Sequence, residues 1–299
     1  MGAADVVPGV SGGTIAFITG IYVELITSIN KINLEALKTL KSEGIGAAWK
    51  YSNGSFFLAL FAGIGISILS LAKGITYLLD TQPTLLWSFF FGLVFASIFF
   101  VAKGVTQWKL SSVVGLILGA VFAYYITTLP AQTENEALPY IFISGMIAIC
   151  AMILPGISGS FILLLMGSYK VVLTAIHERN LLTIVTFMAG AIIGILSFSR
   201  LLKWMFAKHH NVTIAVLSGF LVGSLNKIWP WKETLTTFTK HAGEPNEEII
   251  PVEQVSILPQ RFESITGEPS QWMGALGLFC IGILIIAVME WASRKKPQS

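Results

Sequence analysis

Long stretches without a charged residue alternate with short polar segments along the whole chain. The charge-free runs cover 56–72, 84–102, 110–129, 137–169, 180–199, 211–226 and 270–289. Most approach the ~20 residues that an α-helix needs to cross the hydrocarbon core of a bilayer. Full spans are therefore expected at 56–79, 84–102, 110–129, 180–202, 211–229 and 270–291. Run 137–169 is different. Its length would make about 50 Å of helix, too long for one crossing and short for two. Pro155 and Gly156 stand near its middle, and both residue types break helices. The run predicts a helical hairpin over 137–176 that dips into the membrane and returns.

Composition identifies the solvent. Of the 299 residues 54% are hydrophobic and only 12% charged, with a mean hydropathy of +0.75. A soluble domain with that balance would expose large apolar patches, so the expected surroundings are lipid and the expected class is an all-α multi-pass membrane protein. The net charge of +3 says little by itself, and no nucleic-acid partner is expected. Cys150 and Cys280 fall inside apolar runs and read as small buried side chains rather than a disulfide. His177, His209 and His210 lie in loops without metal-ligand spacing, so neither a metal nor a cofactor is expected.

The Pro-Gly turn occurs twice, as Asp5-Val-Val-Pro-Gly-Val-Ser-Gly-Gly-Thr14 and as Leu154-Pro-Gly-Ile-Ser-Gly-Ser160. An offset of 147 pairs Pro8 with Pro155, Ser11 with Ser158, Gly20 with Gly167 and Tyr22 with Tyr169. Further along, an offset of 127 pairs Gly63 with Gly190, Ile68-Leu69-Ser70 with Ile195-Leu196-Ser197, Lys73 with Arg200 and Gly92 with Gly219. The longer polar loop 28–55 of the first half absorbs the difference. Two repeats follow, 1–136 and 137–299, and the first copy of the turn predicts a second hairpin over 1–28. Only Met1–Ala4 precede that copy, and no signal peptide does, so either the start lies upstream or the first helix is short.

Basic residues orient the spans. Loops 28–55, 103–109, 200–210 and tail 290–299 hold 12 basic and 3 acidic residues, whereas 80–83, 130–136, 177–180 and 230–270 hold 4 and 11. The first group is expected in the cytoplasm, with the C-terminus, and loop 230–270 outside. The halves then have inverted topology, each with one re-entrant hairpin and three spans.

Non-helical backbone at membrane depth is tolerated only where it is buried in protein or lines a water-filled cavity, and inverted repeats with broken helices are a recurring transporter plan. Gly12, Gly13 and Gly159 would free the backbone to turn. Helices starting near Thr14 and Phe161 would aim N–H groups at the break, where anions, phosphate above all, are attracted. Ser11, Thr14, Ser158 and Ser160 add hydroxyl donors. The plainer alternative is a kink packed against a neighbour, with Ser capping the next helix. Asp5 and Glu24 are candidate intramembrane carboxylates; their counterparts are Met152 and Val171. Lys73 and Arg200 either snorkel to headgroups or receive an anionic one. Lys227, Trp229 and Trp231 read as an interfacial anchor.

These residues carry a resemblance. Gly2–Tyr22 closely resembles the opening signature of the bacterial polyprenyl-phosphate transporter family, Leu154–Phe161 with Gly167-Ser-Tyr169 its second, and Gly223–Trp231 its closing region. The resemblance spans nearly the whole chain, though the short lead-in before Asp5 departs from the pattern. It implies a flippase of the bacterial cytoplasmic membrane that returns undecaprenyl phosphate, the lipid carrier of cell-wall precursors, from the outer to the inner leaflet. The alternatives are a small-anion carrier or channel and an undecaprenyl-diphosphate phosphatase. The phosphatase turn resembles this one, but Gly12 and Gly159 stand where it carries an Arg. The negative headgroup would move against an inside-negative potential. Either downstream consumption of the lipid pulls it across, or co-transported protons, carried by Asp5 or Glu24, offset the cost; no nucleotide-binding motif offers another source.

Overall fold

The computed structural model describes residues 1–2, 11–240 and 248–294. Asp5, Pro8 and Gly9 lie outside the described residues. From residue 11 the described chain forms two short helices, α1 (Gly12–Ile18) and α2 (Tyr22–Asn30), bent by 115° at a break where Gly20 takes a φ of +77°. Two surface helices follow, α3 (Leu34–Glu43) and α4 (Ile45–Tyr51). Asn33 starts α3 by accepting from the N–H groups of Glu35 and Ala36, the usual service of an N-cap side chain. The stretch read as a polar loop is therefore largely helical.

Three long helices complete the first half: α5 (Gly54–Thr81), α6 (Pro83–Ala102) and α7 (Leu110–Thr128). Pro83 opens α6 at a position that needs no amide hydrogen. The second half runs α8 (Leu138–Ile153), α9 (Gly159–Leu165), α10 (Tyr169–His177), α11 (Leu181–Lys208) and α12 (His210–Ser224), and ends with α13 (Pro259–Thr266) and α14 (Trp272–Arg294). Helices α9 and α10 meet at 106°, with Gly167 at φ +65°. Among the described residues five helices are long and apolar enough to cross a membrane. This is an integral membrane protein. Leu69 is 85% exposed and Leu110 80%, which suits lipid rather than water.

The element boundaries repeat at the offsets found in the sequence. Shifting α1 and α2 by 147 positions gives the bounds of α9 and α10; shifting α5 by 127 gives those of α11. The packing repeats as well. Helix α6 crosses α14 where Gly92 faces the Phe279 carbonyl and Gly282 that of Phe89. Helix α12 crosses α7 where Gly219 faces the Leu116 carbonyl and Gly119 that of Val216. A Cβ at any of the four would overlap backbone, so small residues let both crossings close.

The helical class has one addition: β1 (Lys232–Lys240) and β2 (Glu248–Ser256) form an antiparallel hairpin within 230–270, in segments rich in β-branched Thr, Val and Ile. Three expectations need correction. The span expected at 211–229 stops at Ser224, after which the Lys227 N–H turns back to the Ser224 carbonyl. Cys280 is exposed on α14, because a lipid-facing helix surface need not hide a small apolar side chain. Trp229 and Trp231 are not free interfacial anchors: their indole N–H groups donate to Ile257 O (2.8 Å) and Ser270 O (2.9 Å), and Trp231 packs with Ile257, Phe262 and Ala275.

Candidate functional site

Helices α8 and α9 form a hairpin around Pro155-Gly156. The turning glycine is Gly156, at φ +89°, a conformation that side chains with a Cβ rarely adopt. Gly12, Gly13 and Gly159 do not turn; all three are helical. A Cβ on Gly159 would come within 2.9 Å of the Ala148 carbonyl, so this glycine lets α9 lie against α8. The hairpin closes at its far end. Gln132 N–H donates to Leu165 O (2.8 Å), and the Tyr140 hydroxyl in the first turn of α8 donates to Met166 O (2.9 Å). The chain thus leaves the hairpin beside the point where it entered.

The described end of the first motif, Ser11–Thr14, touches the second turn. Gly156 N–H donates to Thr14 Oγ1 at 2.8 Å, and the Ser11 hydroxyl donates to Met152 O at 3.0 Å while accepting from Gly13 N–H. Gly13 is pressed so close that a Cβ would reach Ile153 O at 2.5 Å. Ser11 and Thr14 are each 1% exposed. These side chains satisfy backbone groups that the broken helices leave unpaired inside the protein. Of the four hydroxyls expected to greet an anion, these two are engaged in joining the two motifs. Ser158 and Ser160 remain on the open side of the turn, their hydroxyls 2.8 Å apart, with Ser160 exposed.

The other candidates are scattered. Lys73 and Arg200 are exposed on α5 and α11, with no ion pair among the described residues. Glu24 is exposed on α2 and accepts from Asn53 Nδ2 at 3.1 Å; Asn53 also donates to Ser28 and sits in a left-handed turn before α5. That is a structural role, holding α2 against the start of α5. Among the described residues no group of three His, Cys, Asp or Glu is gathered for a metal ion.

Two lysines stand beside the second turn: Lys227, expected as part of an interfacial anchor, and Lys232, which the sequence did not single out. Lys227 places its ammonium 4.4 Å from the centre of the Phe161 ring, and Phe161 directly follows Ser160. Lys232 lies over Trp87 of α6 at 4.6 Å and donates to the Lys227 carbonyl. Burial pushes the Lys232 ammonium well below the usual lysine range, and the charge of Lys227 pushes it further. The available signal was the bracket of two lysines around Trp229-Pro230-Trp231, which a hydropathy reading assigns to the membrane surface. Nearby lies an apolar cavity of about 310 Å³ walled by Phe91, Trp229, Trp231, Trp272 and Phe279.

A polytopic membrane protein whose two broken helices meet through buried hydroxyls belongs, by architecture, with proteins built around discontinuous helices. Comparison with known proteins is more specific. Residues 1–246 match the VCA0040-like family, described as undecaprenyl phosphate translocase-like. The chain is 48% identical over 295 residues to the polyprenyl-phosphate transporter of Vibrio cholerae, covering 99% of this chain and 94% of that protein. It is 30% identical over 250 residues to the polyprenyl-phosphate transporter of Staphylococcus aureus, covering 77% of this chain and 83% of that one. No solved structure gives a significant match. The chain belongs to the VCA0040-like family.

Proposed function

We propose that this protein moves polyprenyl phosphate across the bacterial cytoplasmic membrane, returning undecaprenyl phosphate from the outer to the inner leaflet for reuse in envelope synthesis. The observation that carries the reading is the contact between the two turns, Gly156 N–H on Thr14 and Ser11 on Met152. Two inverted repeats, 1–136 and 137–299, each contribute a re-entrant hairpin and three spans. Their turns form a polar seam in apolar surroundings, which a rocking motion of one half against the other would open to either face. The repeated helix bounds and glycine crossings support the repeats, and the charge bias of the loops supports the inversion, with the β-hairpin outside. The names of the relatives support the cargo. Ser158–Ser160 is the headgroup-facing segment, Ser11–Thr14 of the first repeat braces it through the Thr14–Gly156 and Ser11–Met152 contacts, and Lys73 and Arg200 draw anionic headgroups to their respective faces.

The test is reconstitution in phosphatidylethanolamine–phosphatidylglycerol vesicles with a trace of fluorescent short-chain polyprenyl phosphate, following loss of headgroups from the outer leaflet to an impermeant reagent. Acceleration of at least tenfold over protein-free vesicles is expected. An unchanged rate, or release of inorganic phosphate from polyprenyl diphosphate by the same vesicles, would count against transport as the activity.

A further inference from the structure

We infer that Lys227 and Lys232, with the Ser158–Ser160 hydroxyls, form the site that takes a phosphate monoester on the β-hairpin side of the protein. The inference rests on the transport reading and names the residues that would first hold its cargo. Two lysines are neighbours here: the Lys232 ammonium donates to the backbone carbonyl of Lys227, and the Lys227 ammonium lies over the ring of Phe161, the residue after Ser160. No carboxylate among the described residues pairs with either. Glu233 of the same segment faces Arg261 at 4.0 Å, and Glu263 accepts from the Ser270 hydroxyl at 2.7 Å and the Ser270 N–H at 2.9 Å.

A lysine that merely anchors a protein at the lipid surface sends its ammonium outward to water. Lys232 turns inward to a backbone carbonyl and the face of Trp87. Aromatic faces and one carbonyl replace lost hydration only in part, and the two like charges oppose each other. An anion with charge near −2 and several acceptor oxygens would satisfy both lysines, and a phosphate monoester has both properties. Charge-assisted bonds from two lysines and hydroxyl donors suit such a group. In the first repeat the position equivalent to Lys227 is Phe100, so the site is one-sided. One-sidedness suits capture from a single leaflet.

The experiment uses the full chain in detergent and follows the intrinsic fluorescence of its tryptophans, three of which (Trp87, Trp229, Trp231) adjoin the lysines. Ligands are a short-chain polyprenyl monophosphate, the matching polyprenol and inorganic phosphate. Lys227→Met and Lys232→Met are each expected to weaken monophosphate binding at least tenfold, leave polyprenol binding unchanged and leave the thermal midpoint no lower than wild type. Lys227→Arg should recover part of the loss. In the unmodified protein, lysine acetylation read by mass spectrometry gives a second readout, with Lys227 and Lys232 protected by the monophosphate and the exposed Lys41 not. Wild-type affinity in both folded Met variants, or no protection of the pair, would overturn the site while leaving transport standing. Lysine-dependent binding of inorganic phosphate without binding of the lipid would keep the ionic site and remove the lipid as its ligand. Binding of neither would remove both.

Discussion

Thr14 and Gly13 show how single atoms hold the two turns together. The Thr14 hydroxyl is the acceptor for a buried backbone N–H, that of Gly156. Thr14→Val keeps the shape and removes the acceptor, and an unpaired buried N–H costs about 1–3 kcal/mol. The expected result is a lower thermal midpoint in detergent, with Thr14→Ser close to wild type. Gly13→Ala tests the close approach. Its methyl would sit 2.5 Å from the Ile153 carbonyl, which is backbone and cannot swing aside. Overpacking of this kind costs about 1–3 kcal/mol, and the transport rate should fall with the stability. Gly46 in α4 has open space around it and is the control; Gly46→Ala should be neutral or slightly stabilising by up to ~1 kcal/mol.

At the level of elements, the paired crossings make a quantitative claim about duplication. Gly92 meets the Phe279 carbonyl as Gly219 meets that of Leu116, with α6 on α14 in one case and α12 on α7 in the other. Gly92→Ala and Gly219→Ala should therefore lower stability by similar amounts, within about 0.5 kcal/mol of each other, and the double substitution should be additive to the same degree. Steric-trap or thermal unfolding of the three variants checks it. Unequal penalties would mean that the helices match in register but not in packing. The breaks behave differently: Gly20 has open space, whereas a Cβ on Gly167 would overlap the Thr133 carbonyl. Both have positive φ, so Gly20→Ala carries only the left-handed backbone cost of about 1–2 kcal/mol, while Gly167→Ala adds a clash to it.

For the whole molecule the question is energy. A phosphate monoester carries about −1.5 to −2 charges at neutral pH. Moving it inward against an inside-negative potential costs about 2.3 kcal/mol per charge per 100 mV. The total, roughly 4 kcal/mol at 100 mV, would favour the outer leaflet about a thousandfold. Protons moving with the headgroup would offset this. In the vesicle assay, acidifying the outside by two pH units under an inside-negative potential is expected to raise the inward rate several-fold. Glu24→Gln and Asp5→Asn ask which carboxylate takes part. The Asn53 contact of Glu24 predicts a stability effect as well, so its rate must be compared with that of Asn53→Ala. Rates that ignore the gradient would leave consumption of the lipid on the inner side as the driving force.

Much of this architecture was legible in the chain because lipid imposes simple rules. A charge-free run near 20 residues becomes a span, since every backbone group must be satisfied within the helix. A Pro-Gly pair inside such a run must break it, and α8 ends at Ile153, just before Pro155-Gly156. The two offsets read from the sequence are also those at which the bounds of α1, α2 and α5 recur in α9, α10 and α11. Tertiary structure decided what each polar residue does. Ser11 and Thr14 carry the chemistry of an anion site, yet their partners, Met152 and Gly156, are about 140 positions away, and no local pattern reveals that they are taken. Gly12, Gly13 and Gly159 read as turn formers because glycine allows turning; only the neighbouring carbonyls show that closeness is what they provide. Lys232 sat in a loop of unremarkable polarity, and Lys227 at what read as a membrane surface. Only the tertiary fold sets Lys232 against Trp87 and Lys227 against Phe161, because contact between residues far apart in sequence is set by packing and not by period.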